Sequence, residues 1–152
     1  MRKLIALPAL AFALMLLVPG TAQVQAPLSG QMEQNFYEDN PIWRGTITGD
    51  ISGYIFFTNV GTGKRGEQEP GKTIPFAEVW LISSDKHGKK MLLTGTDEGV
   101  VSPNSEYRMN GVVTEAGAGY EHLIGRTVHI SGYITWDPTG WPLTAVGTFR
   151  IN

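Results

Sequence analysis

Two glutamates in this 152-residue chain stand among apolar neighbours, where a carboxyl group can exchange protons near neutral pH. Glu78 lies between Phe76 and Trp80 in the alternating run 76–83, and Glu115 follows Met109 and Val113 in the run 107–115. If each run turns its apolar phase inward, both carboxyls lose water and their pKa values rise, which suits a general acid or an anchor for a ligand hydroxyl. The competing account sets each glutamate near a strand end within reach of water. Glu78 has a further alternative on the outer face, because Ala77, Val79 and Leu81 make the other phase of its run apolar too. Asp97 and Glu98 fall mid-strand, where successive side chains point to opposite faces, so one of them turns inward. A bulge, or an ion pair to Arg108 or Arg126, explains that pair as well as catalysis does.

The tryptophans Trp43, Trp80, Trp136 and Trp141 offer large apolar surfaces with one donor each, fit either to line a cavity or to fill a core. Trp43, Trp80 and Trp136, with Tyr107 and Met109 from the apolar phase of their strand, form the candidate pocket lining. His87, His122 and His129 lack the spacing to a second His or a Cys that a zinc site needs, and all three read as surface residues. No nucleophile elbow, phosphate-cradling loop or calcium loop occurs, which disfavours a hydrolase, a kinase or a metalloenzyme.

Strands must position these groups. Residues 43–57 place Trp43, Gly45, Ile47, Gly49, Ile51, Gly53, Ile55 and Phe57 on one phase, as one very long strand or two joined at Gly49-Asp50. Glycine at every fourth residue of that phase lets a strand coil as a barrel wall requires. Residues 60–75, rich in Gly and Pro, read as a long loop. Residues 76–83 and 90–101 read as a hairpin turning at Asp85-Lys86-His87-Gly88. The segment 111–136 gives strand, glycine-rich turn, the apolar plug 120–124 and strand. The pentapeptide Ile-Ser-Gly-Tyr-Ile within it, at 130–134, repeats that at 51–55. A last alternating run carries Leu143, Ala145, Gly147, Phe149 and Ile151. Pairing this terminal strand with the one that begins at Trp43 removes both edges. The expected fold is all-β, a closed antiparallel barrel of about eight strands in a single domain after a signal peptide.

Arg2 and Lys3 precede an apolar run ending at Val18, followed by Pro19-Gly20 and small residues, so residues 1–22 are expected to be a cleaved secretory signal. The run is shorter than the ~20 residues a bilayer crossing needs, which argues against a stable membrane anchor and for a secreted or periplasmic product. Residues 23–40, polar and without periodicity, read as a flexible leader, and 41–152 as the barrel domain. No Cys occurs, so neither a lipoprotein anchor nor a disulfide framework is available. Without Arg2 and Lys3 the 12 basic residues fall to 10 against 14 acidic, a net charge of −4 with no basic stripe, and nucleic acid is not an expected partner.

Three features resemble the barrel family of allene oxide cyclases and dirigent proteins. They are the opening Gly45-x-Ile47-x-Gly49-x-Ile51-x-Gly53, the turn Gly117-Ala118-Gly119-Tyr120 leading to Leu123-Ile124-Gly125, and the closing Ala145-Val146-Gly147-Thr148-Phe149. The resemblance implies an eight-stranded, cofactor-free barrel with a mostly hydrophobic cavity, often assembled as a trimer, that cyclises or orients a small organic substrate. No catalytic residue of that family maps onto a matching position here. The leading expectation is an exported, cofactor-free barrel holding a small hydrophobic ligand. The alternatives are a cyclase or isomerase of the same fold using Glu78 or Glu115, and a fully packed structural or interaction module.

Overall fold

The computed structural model describes residues 26–37, 42–61 and 71–152. Eight strands follow in order: β1 (Leu28–Tyr37), β2 (Ile42–Gly49), β3 (Gly53–Gly61), β4 (Ile74–Ser83), β5 (Met91–Val101), β6 (Glu106–Ala116), β7 (Thr127–Trp136) and β8 (Pro142–Ile151). Each is antiparallel to the next, and β8 returns to pair with β1, so the protein is an all-β closed barrel of eight antiparallel strands. A single 3-10 turn, Glu121–Leu123, interrupts the strands among the described residues.

Closure runs through a strand that the sequence reading set aside as leader. β1 pairs with β2 from Gly30↔Gly49 to Tyr37↔Ile42 and with β8 from Leu28↔Ile151 to Asn35↔Thr144, so the terminal strand meets β1 instead of the strand carrying Trp43. Its inward phase is Gly30, Met32, Gln34 and Phe36, alternating with exposed Ser29, Gln31, Glu33 and Asn35. A missing side chain and a buried amide in that phase hide the period-2 signal that hydrophobicity alone carries. The expected loop 60–75 is strand at both ends, and its middle, 62–70, lies outside the described residues, as does the expected signal 1–22.

Inside, large side chains stand opposite glycines on the neighbouring strand. Trp80 faces Gly95, and a Cβ built on Gly95 would lie 2.3 Å from the indole and 2.1 Å from the Val112 carbonyl oxygen. Tyr107 faces Gly132, which itself faces Gly147, so the ring crosses two strands and its hydroxyl donates to the Val146 carbonyl at 3.2 Å. An eight-stranded barrel is just wide enough for such side chains to fill, and this alternation of large and absent side chains is how the interior reaches packing density.

One end is sealed. Leu123, on the 3-10 turn between β6 and β7, is buried, and Ile51, Val113, Val128 and Ile151 are buried at the same end. The opposite end carries the β5–β6 and β7–β8 turns, with an aromatic group on its rim: Phe36 edge-on to Trp43 at 5.2 Å and stacked on Trp141 at 6.5 Å.

Because β1 closes the cylinder, a chain beginning at residue 38 is expected to lose the barrel outright, leaving β2 and β8 with unpaired edges that associate between molecules. Far-ultraviolet circular dichroism and size-exclusion chromatography check this; a monomeric, folded product would show that β1 is dispensable.

Candidate functional site

Above the packed half, towards the aromatic rim, the interior leaves an unfilled chamber of about 30 Å³, room for roughly two water molecules. β1 contributes Met32 and Gln34, β2 Trp43, β3 Phe57, and β4 Phe76 and Glu78. β6 adds Tyr107 and Met109, β7 Ile134, and β8 Ala145. The walls are therefore aromatic, aliphatic and thioether, with three polar groups set into them.

Glu78 is 5 % exposed, on the inward phase of β4 between Phe76 and Trp80, and burial followed by the neighbouring Asp97 pushes its pKa to about 8. Asp97, its register partner on β5, is equally buried, and loss of water raises its pKa to about 7. Asp97 stands opposite Gly111, where a Cβ would come within 2.7 Å of the aspartate Cβ; the absent side chain makes space for the carboxyl. Neither carboxylate oxygen of Asp97 meets a hydrogen-bond partner. The ion pair to Arg108 or Arg126 that stood as one alternative is not formed by Asp97: Arg108 is mostly exposed and lies 4.0 Å from Glu106 on the outside, and the buried Nε of Arg126 has no partner. Burial, then Glu78, also pushes the Tyr107 phenol above its ordinary range, so it stays a neutral donor.

Of the residues singled out in the sequence, Glu78, Trp43, Tyr107 and Met109 come together in this chamber. Glu115 does not. A bulge opposite Thr94 and Gly95 inserts Thr114 between Val113 and Glu115, which flips the phase and leaves Glu115 exposed. Trp80 is fully buried beneath the chamber, edge-on to Phe149 at 5.1 Å, so it belongs to the core and not to the lining. Trp136 sits at the rim, donating its indole N–H to Ser105 Oγ at 2.9 Å, outside the chamber wall. Met32 and Gln34 were missed with β1. Phe57, Phe76, Ile134 and Ala145 were legible only as inward apolar positions, and their shared depth required the register. The histidines are outside: His129 meets Asn110 Oδ1 at 2.6 Å on the outer face, and His87 and His122 are exposed.

Comparisons of the chain with protein-family models, with curated proteins and with solved structures returned no match. The likeness to allene oxide cyclases and dirigent proteins rests on the motifs quoted above.

The electrostatics predict a direction for pH. In the unfolded chain both acids ionise near their ordinary values of 4.5 and 3.8, while in the barrel they hold their protons up to about 8 and about 7. Between these limits the folded state binds more protons, so stability is greatest below the unfolded values and falls as pH rises. Exposed Glu106 and Asp137 act in a different window. The Tyr133 hydroxyl lowers the first and the Trp141 N–H the second, so their contribution is lost only in acid. Urea unfolding from about pH 5 to about pH 8 should show a fall of roughly 1 kcal/mol or more per pH unit. In Glu78→Gln this slope should shrink, and the variant should be the more stable protein at the alkaline end; equal slopes in both proteins would place the Glu78 carboxyl in water.

Proposed function

We propose that this chain is an exported barrel that takes a small, mainly apolar molecule into the rim-side chamber, with Glu78 as the polar group that orients it. The observation carrying this reading is the buried Glu78 carboxyl set into a mainly apolar wall, with the equally buried Asp97 as its register partner on β5. Burying such groups costs several kcal/mol per ion, or forces them neutral, and replacement by apolar residues of similar volume is often stabilising. A barrel serving only as a scaffold gains nothing from Glu78 and Asp97, whereas a binding chamber needs a few placed polar groups among apolar walls.

The chamber as it stands is far below the ~300 Å³ of a drug-sized pocket, so a guest enters by displacing side chains. Met32 and Met109 are unbranched and adaptable, and Phe76 is only half-buried, which makes them the movable part of the wall. Export is supported by the charge, length and break pattern of residues 1–22.

A second reading is favoured by one specific observation. A carboxyl whose pKa is about 8 changes protonation near neutral pH, the condition for general acid–base work. On this reading the barrel is a cyclase or isomerase of the allene oxide cyclase or dirigent type, holding a flexible substrate in a reactive shape.

Trp43 lines the chamber, so a guest is expected to change tryptophan emission when a panel of small apolar molecules is titrated. Trp43→Phe should abolish most of that change, and Met32→Trp, which fills the chamber, should weaken binding about tenfold or more by overpacking. A folded protein whose emission and calorimetric signal ignore the whole panel would remove the proposal.

A further inference from the structure

We propose that the guest is an organic ammonium ion, a small amine with an apolar body, held with its charge against Glu78 in the chamber wall, where the neighbouring Asp97 adds negative potential, and with its body against the aromatic walls. This rests on the reading that the chamber admits a guest, and it names the guest's class.

Three observations carry it. First, the described part of the interior holds two carboxyls, and no cation among the described residues is buried beside them. Among the described residues, Arg44, Arg108, Arg150, Lys72, Lys86, Lys89 and Lys90 are all exposed, and Arg126 adjoins the 3-10 turn at the sealed end. Second, both oxygens of Asp97, a residue 5 % exposed, lack a partner, and a buried acceptor left unpaired is a standing demand for a donor. An ammonium N–H meets that demand with a charge-assisted bond, whereas an alcohol offers one neutral donor and a carboxylate none. Third, the remaining walls attract cations. Trp43, Phe57, Phe76 and Tyr107 present aromatic surface to the chamber, and ring faces draw an ammonium group electrostatically, most strongly when water is excluded.

Charge balance sets the valence. Among the described residues, the titratable groups beside Glu78 are Asp97, its register partner on β5, and Tyr107 on β6, which shares the chamber wall; β1 offers Gln34, and β3 sets Asn59 opposite Glu78. The phenol stays neutral. Two adjacent buried carboxyls repel, so the pair gives up one proton more readily than two and then carries a single negative charge. One monovalent cation neutralises it. Binding is therefore coupled to release of a proton whenever the pair is doubly protonated beforehand. A metal ion is the poorer fit, because hard cations require six or more oxygen ligands and this wall supplies few.

The test uses the complete exported chain and three ligands of one shape: butylammonium, 1-butanol and butyrate, titrated calorimetrically. At about pH 8 butylammonium is expected to bind about tenfold or more tighter than 1-butanol, the least a charge-assisted hydrogen bond contributes, with butyrate weakest. The preference should shrink towards about pH 5, where the carboxyls hold their protons more firmly, and binding near neutrality should release about one proton, read from buffers of different ionisation heat. Glu78→Gln and Asp97→Asn should each remove most of the ammonium preference, read as the ratio of butylammonium to 1-butanol affinity within the same variant. If 1-butanol binds but butylammonium binds no tighter, the chamber takes neutral guests and the ammonium assignment is wrong. If potassium chloride displaces butylammonium at equal concentration, the site is a general cation site, which also overturns it. If none of the three binds to folded protein, this inference and the binding function fall together.

Discussion

The interior of this barrel depends on one steric constraint: a large inward side chain requires an absent one on the strand beside it. Trp80 occupies the space over Gly95, and Tyr107 reaches across Gly132 to Gly147, whose Cβ would lie 2.2 Å from the phenol oxygen. The close contacts at these glycines include neighbouring backbone as well as side chains, so the wall cannot adjust by rotamer changes alone. The pairing fixes which side chains share a depth in the tube. A shift of one residue in any strand would turn its inward set out to solvent, and the eight registers hold one another in place around the closed ring.

The same rule explains how two carboxyls come to lie in a dry interior. Asp97 occupies the gap over Gly111 much as Trp80 occupies the gap over Gly95, with the carboxyl standing where a hydrocarbon would otherwise pack. Its register partner Glu78 is held on the inward phase by Trp80 and Ile82, both fully buried, so it cannot reverse direction without exposing them. Exposed acids show the contrast. Glu106 accepts from Tyr133 at 2.6 Å and Asp137 from the Thr139 N–H at 2.8 Å, each in water with its ordinary acidity strengthened. The interior pair is stripped of bulk solvent by burial, and Asp97 has no protein donor, so the pair's protons are retained instead.

How far the sequence revealed this depends on what signal each element carries. β2 to β8 announced themselves through period-2 alternation, because their inward residues are mostly hydrophobic or glycine. β1 did not, since Gly30 and Gln34 occupy half of its inward positions and a count of apolar residues sees neither. Its strand character is evident only once Gly49 and Phe149 are known to flank Gly30. Glu78 could be recognised as an inward carboxyl because its strand keeps phase from Phe76 to Ile82. Glu115 was misread because a single inserted residue, Thr114, reverses the phase, and nothing in the local residue types marks a bulge. Trp43 and Trp80 look alike in sequence. What separates them is depth, which comes from the pairing of strands far apart in the chain.

Depth also decides which parts of the interior can yield to a guest. Trp80 is locked from below by Phe149 and from the side by the backbone over Gly95, and Leu123 seals the far end, so the packed half has no route for expansion. Towards the rim the large residues change character. Met109 stands opposite Gly99, so its thioether chain fills space beside a missing side chain, while Met32 stands opposite Gly147, over which the Tyr107 phenol reaches. An unbranched chain in such a place can change rotamer without moving the backbone, which an indole in the same place cannot. On the proposed binding reading, a guest arriving from the rim meets the Phe36, Trp43 and Trp141 cluster first and Glu78 before the packed layer, so proton exchange and guest entry would share one path.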